Sequence, residues 1–177
     1  MTRKTRLATT WLDGCSGCHM SLLDIDEALL AIARRVDVVY GPLVDAQEFP
    51  KSVDVTLVEG AVSSQDDLEK IRTIRQRTRV LVSLGDCAIT GNVPAMRNQH
   101  PARKMLERIY IDGAQENRSI PTEGVPPLLR NAVPVHEAVK VDLYIPGCPP
   151  SPAAIAYALG ELLDGRMPDV APKVKFG

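Results

Sequence analysis

An α/β domain with a mainly parallel sheet is the fold the sequence predicts, and three observations predict it. Short apolar runs alternate with segments of helical periodicity, the order in which strands and crossover helices are laid down. All four cysteines follow such runs rather than lying inside them. At 177 residues, with 45% hydrophobic and 24% charged content, the chain suits one buried core, so residues 1–177 read as a single domain.

Taken in order, the strands are expected at Leu7–Leu12, Val36–Tyr40, Val53–Glu59, Val80–Leu84 and Val141–Pro146. Between the first two, Leu22, Leu23, Ile25, Leu29, Leu30 and Ile32 give one helix-like apolar face. It ends at Arg34 and Arg35, where cations suit the helix dipole. Ser64 opens a second helix with Asp66, Asp67 and Glu69 early and Arg72, Arg75 and Arg77 late, turning Leu68, Ile71 and Ile74 toward the sheet. From Asn92 to Pro134 the chain carries Pro94, Pro101, Pro121, Pro126, Pro127 and Pro134, with one plausible helix around Ala102–Tyr110. Long excursions of this kind tend to be functional, and a partner-binding surface is expected there, against the plainer alternative of a poorly ordered insertion. A last helix runs from Ser151 to Leu163, ahead of a short polar tail.

Charge excludes some functions. A net charge of −1, from 21 Lys and Arg against 22 Asp and Glu, offers no footprint for a phosphate backbone or an anionic membrane, so neither nucleic acid nor a lipid surface is an expected partner. Leu7–Leu12 is too brief for a signal h-region or a membrane span, no twin-arginine pair precedes it, and a cytoplasmic location is expected. In that compartment clustered cysteines more often mean metal or redox chemistry than structural disulfides.

The chemistry lies with Cys15, Cys18, Cys87 and Cys148. Each follows a candidate strand, so a parallel sheet would bring all four to its carboxyl edge, where open α/β sheets build their ligand sites. Their settings are Gly14-Cys-Ser-Gly-Cys18, Gly85-Asp-Cys87 and Gly147-Cys-Pro-Pro150. Glycine tolerates positive φ and lets amides turn toward a bound anion, which a thiolate-ligated cluster requires when it leaves water. Prolines 146, 149 and 150 stiffen the last of these loops. An iron–sulfur cluster is the reading these features favour. A zinc site, a thioredoxin-type pair at Cys15 and Cys18, or buried apolar thiols are the alternatives. His19, beside the ligand loop, could hydrogen-bond a cluster or line an interface, but a structural role is expected for it as for His100 and His136. Trp11 is expected in the core or at an interface.

Five stretches carry a resemblance: Trp11-Leu-Asp-Gly-Cys-Ser-Gly-Cys-His-Met-Ser-Leu-Leu-Asp24, Leu57-Val-Glu-Gly-Ala61, Ser83-Leu-Gly-Asp-Cys-Ala88, Val93-Pro-Ala-Met-Arg-Asn98 and Ile145-Pro-Gly-Cys-Pro-Pro-Ser151. Together they resemble the small subunit of NiFe hydrogenases, and most closely that of the NAD-reducing, bidirectional soluble enzymes, down to the terminal Lys175-Phe-Gly177. The resemblance implies a flavodoxin-like fold with helices on both faces of the sheet. It implies one 4Fe-4S cluster held by Cys15, Cys18, Cys87 and Cys148 beside the nickel–iron site of a separate large subunit. Electrons would pass from there to an iron–sulfur and flavin diaphorase module that reduces NAD(P), or back for H₂ evolution. No cysteines remain to ligate nickel in this chain. The homologous 20-kDa subunit of complex I-like oxidoreductases has adjacent cysteines in its first motif. Here Ser16 and Gly17 separate Cys15 from Cys18, which favours the hydrogenase. A flavin-binding module holding FMN is a further alternative, but the cysteine pair occupies the loop where a phosphate would sit. Glu59, followed by Gly60, ends an apolar strand at the same edge. The resemblance places it near the large-subunit interface, as a proton relay or an anchor for an arginine across it.

Overall fold

The computed structural model describes residues 3–174, so the terminal Lys175-Phe-Gly177 motif lies outside the described residues. The chain runs β1 (Thr5–Trp11), α1 (Gly17–Leu23), α2 (Ala28–Ala33), β2 (Val36–Tyr40), β3 (Val53–Glu59), β4 (Val62–Ser64) and α3 (Gln65–Arg77). It continues through β5 (Thr78–Leu84), α4 (Asp86–Thr90), α5 (Asn92–Ala95), α6 (Ala102–Glu107), β6 (Leu128–Val133), α7 (Val135–Ala138), β7 (Leu143–Ile145) and α8 (Pro152–Leu163).

Five strands form one sheet in the order β2-β1-β3-β5-β7, every pair parallel. All five sequence-predicted strands are present, with ends shifted by one or two residues. The central strand, Val53-Asp-Val-Thr-Leu-Val-Glu59, is buried along nearly its whole length because a parallel strand with helices on both sides has no solvent face. Neighbouring residues feed opposite cores. Leu7, Leu57 and Val82 pack with Leu22, Ile25 and, from α8, Ile155 and Leu159. Ala8, Val58 and Leu81 pack with Ile71 and Ile74 of α3, and with Ala88 and Val135. Helix α3 begins as expected: the Ser64 hydroxyl accepts from the Asp67 amide at 3.1 Å, and Asp67 Oδ2 accepts from the Ser64 amide at 2.9 Å, closing a capping box.

The single helix expected across Leu22–Ile32 is instead two. Helix α1 stops at Leu23, and Asp26 takes a left-handed conformation at φ 57°, which aspartate tolerates better than most residues. That turn lets Leu22 and Ile25 reach the same core while Leu23 and Leu30 remain exposed. The Asn92–Pro134 excursion carries a strand that its local pattern does not reveal: β6 pairs antiparallel with the three-residue β4, Val62 opposite Val133. It is tied down further where Asn98 donates to the Ala132 carbonyl at 2.7 Å and accepts from its amide at 2.8 Å. Arg97 adds bonds to the Ser63 and Leu129 carbonyls. The expected helix within the excursion spans α6 and a following π-turn over Arg108–Asp112. Among the described residues, no helix is long and apolar enough to cross a membrane.

Candidate metal centre

Because β1, β5 and β7 are parallel, the turns that follow them emerge on one side of the sheet, and these turns carry the four cysteines. After β1 the chain is held against the end of β3. The Leu12 amide donates to the Glu59 carbonyl at 2.8 Å, and Asp13 and Ala61 exchange amide–carbonyl bonds at 3.0 and 2.8 Å. Gly60 permits this approach: its φ is +90°, and a Cβ there would lie 2.8 Å from the Asp13 carbonyl oxygen. Cys15 is exposed at the end of the turn, and Cys18 is buried in the first turn of α1.

The second and third cysteine loops close on the first. Gly85, at φ +83°, passes so near Cys18 that an added Cβ would stand 2.2 Å from its sulfur, a space only a hydrogen can occupy. The Gly85 amide donates to the Ile145 carbonyl at 2.8 Å, and the Asp86 amide to the Gly147 carbonyl at 3.0 Å. In return the Gly147 amide donates to Asp86 Oδ1 at 2.8 Å. Ser21 of α1 donates its hydroxyl to the Pro150 carbonyl at 2.5 Å, which ties the Cys18 helix to the Cys148 loop. Asn92 Nδ2 reaches Cys148 Sγ at 3.5 Å. Ser21, Asp86 and Asn92 are site-building residues that sequence reasoning missed, since polar side chains facing a neighbouring loop leave no periodic signal. The glycine reasoning holds in part. Gly85 and Gly147 have positive φ, whereas Gly14 and Gly17 do not, and Ser16 takes the left-handed position between Cys15 and Cys18 at φ 66°.

Electrostatics report the same convergence. The Cys18 thiol is pushed well above its ordinary range, first by burial, then by the Glu59 carboxylate, then by Cys87, Cys15 and Cys148. Burial also raises Cys87, offset in part by the Val93 amide and reinforced by Cys148, Cys15 and Glu59. Four thiolates in this space would repel one another unless a cationic group lay between them. Among the described residues, no three His, Cys, Asp or Glu side chains group as a single-ion site would. Four thiols on the turns of one sheet edge are a donor set that an iron–sulfur cluster or a tetrahedral zinc could take up.

Glu59 is at the expected edge, but its partner belongs to this chain. It is 1% exposed, and its Oε2 accepts from the His19 amide at 3.1 Å and meets His19 Nδ1 at 2.5 Å. The His19 ring lies edge-on to Trp11, centroids 5.5 Å apart, and its Nε2 is buried without a partner. Among the described residues, His19 is the one ion-pair partner of Glu59 within this chain. Trp11 is 42% exposed, which removes it from the core. His136 packs edge-on against Tyr144, and among the described residues no hydrogen bond links His100 or His136 to the cysteine loops. Beside Trp11 and His19 runs an apolar groove of about 460 Å³, with Met20, Leu22, Leu43 and Leu159 on its walls. Among the described residues, no lysine or arginine lines it to receive a flavin phosphate.

Comparison with known proteins finds relatives along most of the chain. The family model described as NADH ubiquinone oxidoreductase, 20 Kd subunit, matches residues 15–162, which takes in all four cysteines. An F420-non-reducing hydrogenase vhu subunit from Methanocaldococcus jannaschii is 37% identical over 98% of this chain and 61% of its own length. Its counterpart from Methanococcus voltae is 38% identical, with the same shares covered. The chain thus spans about three fifths of these two relatives. The NAD-reducing hydrogenase HoxS subunit delta of Cupriavidus necator is 36% identical over 97% of this chain and 84% of that protein. A chain of an NAD⁺-reducing [NiFe]-hydrogenase, solved in the H₂-reduced state, superposes with a TM-score of 0.93 at 39% identity, covering 99% of this chain and 100% of that one. At 19% identity and a TM-score of 0.62, a [NiFeSe]-hydrogenase chain from Dm. baculatum shares the fold, over 97% of this chain and 65% of its own. The chain belongs to the NADH ubiquinone oxidoreductase 20 Kd subunit family, and the relatives named above are hydrogenase subunits.

Proposed function

We propose that this chain is the electron-transferring small subunit of a cytoplasmic, NAD(P)-linked NiFe hydrogenase, and that Cys15, Cys18, Cys87 and Cys148 hold one 4Fe-4S cluster. The observation that carries the reading is that all four thiols lie on turns at the carboxyl edge of one parallel sheet, tied together where Gly85 passes Cys18, Gly147 bonds Asp86 and Ser21 bonds Pro150. Such a cluster, when bound, takes up and releases electrons one at a time. The chain's own residues do the remaining work. Asp86 and Ser21 fix the ligand loops, the glycine at 85 makes room for Cys18, and the apolar walls of β1, β5 and α1 keep water from the inner side.

Exposed apolar residues suit subunit contacts. Trp11, Met20, Leu23 and Leu43 line one groove, and Val93, Met96, Ile109 and Tyr110 are exposed on the proline-rich excursion. A large subunit with the nickel–iron site and an iron–sulfur and flavin diaphorase module are the partners this reading assigns. The relatives named for NAD reduction support the acceptor. For proton transfer beside the electron path, Glu59 with His19 is the titratable pair the edge offers. Among the described residues the groove offers no cation to an FMN phosphate, and FMN is not part of this reading.

The test is the iron and acid-labile sulfide content of the chain purified in its complex, with a low-temperature EPR spectrum after reduction. One cluster per chain and a fast-relaxing reduced signal are expected. Zinc in place of iron, or flavin without sulfide, would overturn the reading.

A further inference from the structure

Helix α1 presents Cys18 at its second position, yet it has no local cap. Ser16 occupies the position that normally supplies one, but its backbone is left-handed (φ 66°, ψ 8°) and its hydroxyl accepts nothing from the first turn. The acceptor comes from the end of β3. Glu59 Oε2 takes the amide of His19, the third residue of the helix, at 3.1 Å, the bond that an N-cap side chain ordinarily receives.

The same carboxylate is enclosed. It ends β3 in register with Trp11 on one side and Leu84 on the other, directly before the turns that carry Cys15 and Cys87. A Cβ on Gly14 would lie 3.5 Å from Glu59 Oε1, so the carboxylate fills the space behind the Cys15 turn. Among the described residues, its only ion-pair partner is His19, and no lysine or arginine comes within 4.0 Å. Burying a carboxylate without a cation is costly, and a cap alone would be served by a neutral side chain. The geometry therefore leaves a second effect to account for: a carboxylate held at the strand end between the turns of Cys15 and Cys87, in surroundings that screen charge weakly.

We propose that Glu59 is a positioning residue for the four-cysteine centre, capping the Cys18 helix from the neighbouring strand, and that its buried charge lowers the reduction potential of that centre. The inference rests on the cluster assignment made above. Adding an electron beside a fixed negative charge is disfavoured, so removing the charge eases reduction. The two roles separate by substitution. A glutamine keeps an oxygen that accepts from the His19 amide and carries no charge, whereas alanine has neither.

The experiment compares the complex containing the native chain with Glu59→Gln and Glu59→Ala versions, measuring iron and sulfide per chain and the midpoint potential by EPR-monitored redox titration. Glu59→Gln should retain its full iron and its EPR line shape while its midpoint moves to higher potential. Glu59→Ala should lose most of its iron. An unchanged midpoint in Glu59→Gln overturns the charge role, and full iron in Glu59→Ala overturns the capping role. Equal iron loss in both variants overturns the division between them. A native complex whose iron and sulfide do not exceed what its partner subunits hold without this chain overturns the cluster assignment itself, and is told apart from the other outcomes by that measurement alone.

Discussion

Asp86 and Gly147 are bound to each other twice: the Asp86 amide donates to the Gly147 carbonyl at 3.0 Å, and the Gly147 amide donates to Asp86 Oδ1 at 2.8 Å. The loop of Cys87 and the loop of Cys148 therefore form one unit, although they are separated by the whole proline-rich excursion. Asp86→Ala leaves the Gly147 amide without its acceptor, at a cost of about 1–3 kcal/mol. The expected outcome is reduced iron per chain and faster loss of iron to a chelator. Asp86→Asn retains an acceptor oxygen and should recover most of the loss. Equal loss in both variants would show that the bond is not what matters.

Each thiol takes one corner of the proposed cluster, so single alanine substitutions should not be equivalent to ordinary surface changes. Cys87→Ala should strip or degrade the cluster and cut H₂-dependent NAD(P) reduction at least tenfold. Iron analysis and turnover on the same preparation check this. A Cys87→Ala complex with native iron and activity contradicts the four-thiolate assignment.

Met96 is 65% exposed, close in the chain to Asn92, whose amide reaches Cys148. If the excursion is a docking surface, Met96→Asp should weaken subunit association about tenfold or more, because a charge would be buried in an apolar contact. The isolated chain's thermal midpoint should hardly move, since exposed substitutions usually stay within about 0.5 kcal/mol. Co-purification and titration of the subunits read the first effect, and a melting curve reads the second.

Asp142 contributes to stability in a pH-dependent way. Burial alone would raise its carboxyl, but the Leu81 amide at 2.8 Å and Arg75 at 2.5 Å outweigh burial and hold it below the usual range. A depressed carboxyl stabilises the fold fully above its unfolded value of about 3.9, and that contribution is lost as pH falls through the lower folded value. Asp142→Asn should therefore be less stable near neutrality and show a shallower stability loss below about pH 4. Urea unfolding across acidic pH measures both, and parallel curves for the two proteins would refute the assignment.

What the sequence determined by itself was the strand order in the chain, the capped start of α3, and the placement of every cysteine after a strand. These are local signals: Val53–Glu59 is rich in Val and Leu because it is buried on both faces, and Ser64 with Asp67 forms a cap within one turn. The resemblance of the cysteine motifs extended that reading to a family, which the comparisons support. Tertiary structure decided what depends on distant neighbours. The three-residue β4 exists only because β6 lies beside it, and α1 ends at Leu23 because the turn at Asp26 brings Ile25 into the core. Glu59 acquires its role only when parallel pairing sets the end of β3 against the Cys15 turn, within 3.1 Å of an amide forty residues earlier in the chain. A buried carboxylate has the same letter in the sequence as an exposed one. Its burial and its partner are properties of the packing, and no periodicity of its own strand encodes them.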